Sequence, residues 1–323
     1  MQSPSIPLTI VAIALPTLIY IRIVHGIDRY EKEPLRYVMA AFLWGAIPAV
    51  ILGLILELIL AIPVEALLGE GLASQFVQTG VIAPTVEEIV KAIALLLLFL
   101  WRRHEFDGWV DGIVYGSTVG FGFAFVENIF YIMGAETWSD WLALFFLRVI
   151  VFGFMHGFWT SLTGIGLGMA RNSHRSLVQW GAPLLGLAAA IFGHLLHNGS
   201  LVLADSTSGA TILVAGINYL ILIVLLIGLG LVAARHDSDT LRTYLRDEVP
   251  ETISEQDYAA LSSLRGNARA HFRIDSKYHR TFIQLAADLA QKKRQFIRMG
   301  EEDRTSSEID RLREALRAFW REA

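Results

Sequence analysis

Long apolar runs alternate with short polar segments along the first two thirds of the chain. A helix needs roughly 20 apolar residues to cross about 30 Å of hydrocarbon. On that template the sequence predicts about seven membrane-spanning helices, near residues 4–21, 37–60, 76–101, 109–134, 141–170, 177–203 and 210–234. The first run lacks a polar n-region and a small-residue cleavage site, so we expect a retained helix and not a removed signal peptide. The expected fold is all-α, a polytopic transmembrane helix bundle.

Lysine and arginine occur in every second loop of this pattern. The basic loops follow the first, third and fifth runs and contain Arg22, Arg29, Lys32 and Arg36, then Arg102 and Arg103, then Arg171 and Arg175. The loops at 61–75, 135–140 and 204–209 contain no lysine or arginine. Because short cytoplasmic loops are the basic ones, we expect the N-terminus outside and the C-terminus in the cytoplasm.

The chain becomes polar after the last apolar run. Of its 27 lysines and arginines, 17 lie from Arg235 onward, together with 16 acidic residues. Stretches 278–299 and 306–320 place apolar residues three and four apart between dense charges, which is typical of amphipathic helices. We therefore expect two domains, a membrane domain at 1–234 and a helical cytoplasmic tail at 235–323. The tail either binds an unidentified cytoplasmic partner or is a solvated appendage.

Composition agrees with a membrane environment and narrows the chemistry. Hydrophobic residues make up 54% of the chain and charged residues 18%, more apolar surface than one soluble core of this size would bury. The lipid bilayer is therefore an expected partner, and no nucleic acid is. The absence of cysteine excludes disulfides, thiolate metal sites, cysteine nucleophiles and S-acyl anchors.

Ionisable side chains occur inside four consecutive predicted spans. An ionisable residue at mid-bilayer costs roughly 2.5 to 3.5 kcal/mol, so its default interpretation is functional. The polar residues are Glu87, Glu88 and Lys91 in the third span, Glu127 and Asn128 in the fourth, Arg148 and His156 in the fifth, and His194, His197 and Asn198 in the sixth. At a rise of 1.5 Å per residue, Glu88 and His156 lie about 20 Å from one end of their helices. We expect these residues to form one site.

The spacing of these residues suggests a division of labour. Lys91 lies three residues after Glu88 and four after Glu87, so it can pair with one carboxylate and leave the other as a general base. An ion-paired structural doublet is the alternative. His194 and Asn198 lie four apart on one helix face, a spacing that permits metal chelation but also occurs where a buried histidine only satisfies hydrogen bonds.

Glycines recur at four-residue intervals in two of these spans. Gly112, Gly116 and Gly120 lie in the fourth span, and Gly164 and Gly168 in the fifth. Small residues at this spacing let two helices approach closely in a membrane. We expect these glycines to serve packing.

Five motifs in order resemble the PrsW family of intramembrane proteases. They are Glu87-Glu88-x-x-Lys91, Gly120-x-Gly-Phe123-x-x-x-Glu127-Asn128, Arg148 eight residues before His156-Gly-x-Trp159-Thr160, His194-x-x-x-Asn198, and the earlier Asp28-Arg29-Tyr30-Glu31-Lys32-Glu33-Pro34. Together they cover roughly residues 22–200. The tail lies outside the resemblance, and so does His197.

The resemblance implies a membrane-embedded endopeptidase, grouped with metalloproteases and distantly related to the CAAX prenyl endopeptidase and Abi group. It implies a bacterial plasma membrane location and a membrane-anchored protein substrate, such as an anti-sigma factor. The implied catalytic residues are Glu87, Glu88, Glu127, His156, His194 and Asn198, and the implied metal ligands are His156, His194 and Glu127.

Two mechanistic alternatives remain open at this stage. In one, zinc is held by the histidines; in the other, the histidines stabilise the oxyanion directly and a glutamate activates water without metal. Two other classes of protein also use buried polar residues or tails. A proton- or ion-coupled transporter would use the Glu and His residues as a relay, and a non-catalytic scaffold would engage partners through the tail.

Overall fold

A computed structural model describes residues 5–27, 32–102, 105–106, 108–262, 276–299 and 303–322. Within those ranges the chain is helical, with turns and bends between the helices and no β-strand. The predicted all-α fold is confirmed. Two sequence predictions include residues outside the described ranges. They are Asp28 to Glu31 of the motif at 28–34, with Arg29 of the first basic loop among them, and Arg103 of the second basic loop.

The helices of the apolar region follow the predicted runs, although the second ends at Leu68 and the seventh at Tyr244, eight and ten residues beyond the predicted limits. They are α1 (Ile6–His25), α2 (Leu35–Leu68), α3 (Ala83–Trp101), α4 (Trp109–Met133), α5 (Trp138–Arg171), α6 (Ser176–Val202) and α7 (Ile212–Tyr244). Among the described residues, six helices are long and apolar enough to cross a membrane, namely all of these except α3. A π-helical stretch, Phe76–Ile82, leads directly into α3 and completes the predicted third run. The expectation of about seven spans agrees with six such helices and the more charged α3.

Helix α4 lies at the centre of the membrane unit because its glycines admit neighbouring backbones. A Cβ atom added at Gly112 would lie 2.1 Å from the carbonyl oxygen of Gly164, and one at Gly120 would lie 2.2 Å from that of His156. On another side of the helix, a Cβ at Gly122 would lie 2.1 Å from the carbonyl oxygen of Phe42 in α2. The predicted packing role of the glycines is confirmed, and the contact of α4 with α5 brings the backbone of His156 against α4.

Helix α5 changes its geometry just before His156. Its residues 145–151 form a π-helical turn, and residues 152–154 leave the helix before it resumes at Met155. The hydroxyl of Tyr20 in α1 donates a hydrogen bond of 2.7 Å to the carbonyl oxygen of Val149. Since an unpaired backbone carbonyl is costly in a membrane, Tyr20 stabilises the irregular turn that leads to His156.

The chain divides into two compact units, one of Met1–Gly26 and Glu33–Ile227, the other of Ile27–Lys32 and Gly228–Ala323. In the second unit, α8 (Glu255–Leu261), α9 (Ser276–Met299) and α10 (Asp303–Glu322) follow the end of α7. Their apolar faces share a core that includes Leu245, Phe282 and Leu316, each 0% exposed. The described part of the tail is therefore helical, as expected. The domain boundary at 234/235 stays a prediction.

Buried charges accompany the core of the second unit. Glu248 accepts hydrogen bonds from Lys293 Nζ at 2.7 Å and from Arg313 Nη2 at 2.8 Å. Burial raises the pKa of Glu248, but hydrogen bonds from Arg313 and Lys293 outweigh that effect and lower the pKa to about 2. Ionised Glu248 thus links α9, through Lys293, to α10, through Arg313.

Candidate active site

Three charged side chains of α3 form one hydrogen-bonded cluster. The ammonium group of Lys91 donates to Oε2 of Glu87 at 3.0 Å and to Oε1 of Glu88 at 2.9 Å. Lys91 and Glu88 are 0% exposed, and Glu87 is 6% exposed. Both carboxylates are therefore paired, so the expectation that one of them stays unpaired is wrong. The two carboxylates differ instead in what else they touch.

Glu88 is surrounded by donors from three helices. Besides Lys91, it accepts a hydrogen bond of 3.0 Å from Thr160 Oγ1 of α5, and its Oε1 lies 3.2 Å from Nδ1 of His194 on α6. A carboxylate is an acceptor only, so the contact requires a proton on Nδ1 of His194. Glu88 thereby fixes the tautomer of His194 and leaves Nε2 with its lone pair toward Glu87, 4.0 Å from Oε2.

His156 also lies beside a carboxylate, that of Glu127. Its Nδ1 lies 3.0 Å from the Lys91 ammonium, which can only donate, so Nδ1 is the unprotonated nitrogen. Its Nε2 carries the proton and lies 2.9 Å from Oε2 of Glu127. Nδ1 consequently keeps its lone pair, and this nitrogen lies 3.9 Å from Oε2 of Glu87.

Glu87, His156 and His194 form a group with the donor set of a metal site. One donor atom from each residue lies within 4.8 Å of the others. Two imidazoles and a carboxylate are a ligand set that catalytic zinc uses, with a fourth position left for water or substrate. The other nitrogen of each imidazole lies beside a second carboxylate, Glu88 at 3.2 Å for His194 and Glu127 at 2.9 Å for His156. Such a partner is common for metal-binding histidines. The three donors therefore suit a divalent cation once the Lys91 ammonium, 3.0 Å from Nδ1 of His156, moves away.

Glu127, predicted as a metal ligand, lies behind His156 and not in that group of three. Its other oxygen, Oε1, lies 3.1 Å from Nη2 of Arg148. Arg148 also donates through Nε to Asn128 Oδ1 at 3.0 Å, and its guanidinium lies 3.6 Å from the ring centroid of Tyr131. Arg148 thereby holds Glu127 against His156.

Two cavities border this centre. One of about 370 Å³ is lined by His156, Arg148 and His197, among others, and one of about 600 Å³ by Glu87 and Glu57. Both are lined by Thr79, Glu127, Tyr131 and Asn198. Asn198 donates a hydrogen bond of 3.3 Å to the carbonyl oxygen of Thr79, so these two residues form part of the wall between the cavities.

The structure thus brings together five of the six predicted catalytic residues in direct contacts: Glu87, Glu88, Glu127, His156 and His194. Asn198 is a neighbour of the centre on the cavity wall. The sequence interpretation assigned no role to two residues of the His156 motif, Thr160, which donates to Glu88, and Trp159. The Trp159 ring stacks on His194 with centroids 4.1 Å apart. Trp159 lies three residues after His156 and Thr160 lies four after it. This spacing was the signal that they share its helix face.

Comparison with known proteins extends the resemblance beyond residue 200, into α7. The family described as PrsW family intramembrane metalloprotease matches residues 33–229. Protease PrsW of Geobacillus kaustophilus is 37% identical over 112 residues, which are 34% of this chain and 46% of that protein. Protease PrsW of Clostridioides difficile is 36% identical over 36% of this chain and 48% of its own length. The match to Protease PrsW of Bacillus subtilis is 28% identical and covers 52% of this chain and 69% of that protein.

The chain thus spans about half the length of the first two of these relatives. No solved structure matches it. The transporter alternative finds no support in these relatives.

Proposed function

Since the chain belongs to the PrsW family of intramembrane metalloproteases, we propose that it hydrolyses peptide bonds of membrane-anchored proteins. The observation that carries the proposal is the group of Glu87, His156 and His194, three donors from three helices that converge beside two cavities. Peptide hydrolysis in a membrane needs this combination of activating groups and space for water and substrate.

We propose that Glu87, His156 and His194 hold a divalent cation, with zinc as the first candidate. Such an ion supplies Lewis-acid chemistry, since it polarises a peptide carbonyl and makes water acidic enough to react near pH 7. The donor atoms would be Oε2 of Glu87, Nδ1 of His156 and Nε2 of His194, the three that face one another. Glu88 and Glu127 act behind the histidines and keep these nitrogens unprotonated.

Of the two α3 carboxylates, Glu87 is the one in position to contact water. It lines the larger cavity, whereas Glu88 is fully enclosed and holds donors on both oxygens. With Oε2 turned to the histidines, Oε1 of Glu87 accepts the proton of the attacking water and returns it to the leaving nitrogen. Asn198 uses one amide proton for Thr79, and the second is available to a substrate carbonyl.

The substrate, the location and the tail complete the proposal. We propose a single-span membrane protein as substrate, with anti-sigma-like regulators as the first class to test. The relatives come from bacteria, which supports a bacterial plasma membrane. The basic loops support an outer N-terminus and a cytoplasmic tail at 235–323. Because the chain has no cysteine, Ser139→Cys and Ser262→Cys each introduce a single thiol. A reagent that does not cross the membrane labels each thiol only from the side on which it lies, and this orientation predicts labelling of Ser139→Cys from outside the cell. Labelling of Ser262→Cys from outside the cell would reject this orientation.

Cleavage of a co-reconstituted panel of single-span membrane proteins tests the activity. Wild type should cut, a chelator should stop it, and zinc should restore it, while Glu87→Gln should lose at least about 100-fold. The matched control is Glu65→Gln, which changes an exposed carboxylate at the outer end of α2. Activity that ignores chelation would reject the metal and leave a glutamate mechanism. Equal activity of Glu87→Gln and wild type would reject the assigned base.

A further inference from the structure

His197 is a buried histidine of α6 for which the proposed hydrolysis has no role. It is 9% exposed and lines the cavity of about 370 Å³. Its Nδ1 atom is enclosed and has no hydrogen-bond partner among the described residues. Its ring packs against Phe152 and Trp159, with centroids 5.3 Å and 5.8 Å away. A buried polar group without a partner costs about 1 to 3 kcal/mol, so a hydrogen-bond partner for His197 would stabilise this arrangement.

The rest of the cavity is suited to an apolar residue with a polar backbone. Most of its wall is apolar and comprises Leu144, Leu147, Phe152, Met155, Leu201 and Val202. Polar residues share this wall. Among them, Arg148 contacts Glu127 and His156 contacts Lys91, and Asn198 donates to the carbonyl oxygen of Thr79. Residues of a transmembrane segment have the complementary character, an apolar side chain and two backbone polar groups.

A transmembrane segment must lose its helical hydrogen bonds before a peptide bond in it can be attacked. Within hydrocarbon, each freed carbonyl or N–H group without a partner costs several kcal/mol. The enzyme must therefore offer partners next to the scissile bond. A neutral imidazole offers one N–H donor and one acceptor, and Nδ1 of His197 is not used by any described residue.

We propose that the cavity beside His156 is a subsite for one unwound, apolar residue next to the scissile bond, with His197 hydrogen-bonded to its backbone carbonyl. The inference rests on the proposed function, because it names the part of a membrane-segment substrate that the site recognises. His197 is then a positioning residue, since it binds substrate backbone and leaves the proton transfers to Glu87.

Binding of a fluorescently labelled, apolar single-span peptide to the full chain in nanodiscs tests the inference without any bond being cut. His197→Phe keeps the ring volume but has no donor, and we expect it to bind the peptide about 10-fold more weakly than wild type. His197→Gln keeps an N–H donor and should stay within about 3-fold. The matched control is His174→Phe, which changes an exposed histidine between α5 and α6 and should bind like wild type.

A second series of peptides identifies the carbonyl directly. Each peptide has sulfur in place of one backbone carbonyl oxygen, which weakens that acceptor. One position should weaken binding to wild type but leave binding to His197→Phe unchanged. Equal binding by all variants, equal losses in His197→Phe and His197→Gln, or no binding to wild type would each overturn the inference. Since hydrolysis is not measured, a failure here is distinct from a failure of the protease assignment.

Discussion

Nζ of Lys91 lies 3.0 Å from Nδ1 of His156, on the side of the imidazole that faces Glu87. The ammonium group therefore contacts two of the three donors proposed to hold a metal ion. A second positive charge at that position would be repelled by Lys91. Binding of a divalent cation must accordingly displace the ammonium group, and Lys91 and metal compete for the same lone pairs.

This competition predicts the behaviour of Lys91→Met. Removal of the ammonium leaves Glu87 and Glu88 as buried charges without their partner, which typically destabilises a protein by about 3 to 5 kcal/mol. Zinc should restore much of that loss, because it supplies the missing positive charge. In thermal unfolding of the reconstituted protein, we expect zinc to raise the midpoint more for Lys91→Met than for wild type. An equal rise in both proteins would contradict the competition.

Glu88→Gln should act through His194 and not through proton transfer. The amide has one acceptor oxygen, which can accept from at most two donors, so it cannot accept from Lys91, Thr160 and His194 together, and the contact that fixes the tautomer of His194 weakens. Loss of a carboxylate behind a metal-binding histidine typically costs about 10- to 100-fold in affinity. We expect a loss of that size in zinc affinity, measured by competition with a chelating dye, and residual proteolysis. Unchanged zinc affinity would show that Glu88 does not orient the ligand.

The membrane helices could be predicted from sequence because the physical signal is local. Apolar runs long enough to cross the bilayer end at charged or glycine-containing loops, and α3 to α6 begin or end within a few residues of the predicted limits. The rise per residue also placed Glu88 and His156 at similar depth. Convergence of the site residues could therefore be expected from the sequence alone.

The roles within the site could not be predicted in the same way. Which residue faces the centre depends on how each helix is rotated about its axis, and an almost uniformly apolar span carries little information about that. Glu87 and Glu88 are adjacent in sequence, yet one lines a cavity and the other is enclosed. The position of Glu127 behind His156 likewise depends on the close packing of α4 and α5.

That close packing gives a prediction for Gly112→Ala. The new Cβ would lie 2.1 Å from the carbonyl oxygen of Gly164, so α4 and α5 must move apart. Overpacking of this kind costs about 1 to 3 kcal/mol, and we expect a lower unfolding midpoint together with reduced proteolysis. Gly181→Ala in α6 is the control, because nothing lies within 4 Å of its Cβ. A helical alanine at position 181 should leave the stability unchanged or raise it slightly. If Gly112→Ala and Gly181→Ala changed the unfolding midpoint and proteolysis equally, the packing argument would be contradicted.

The tail should become less stable in acid through Glu248. Its pKa is lowered to about 2 from an ordinary value of 4.5, so its ionised form stabilises the folded state. That contribution is complete above about pH 4.5 and is lost as the pH falls toward 2. Hydrogen exchange of α9 in the full chain, corrected for intrinsic rates, should show falling protection over this interval. Glu248→Gln should show less of this dependence, and identical profiles would exclude Glu248 as the cause.

The pairing of Lys91 with two residues of its own helix also bears on how the protein is made. Three separate charges in α3 would add roughly 8 to 10 kcal/mol to the cost of entering the bilayer, at about 2.5 to 3.5 kcal/mol each. Because both ion pairs join residues three and four apart, they can form while α3 is still a lone helix. The translocon then receives a span with one net negative charge before α5 and α6 are synthesised. Biogenesis of the helix that carries Glu87 and Glu88 does not have to wait for the helices that carry His156 and His194.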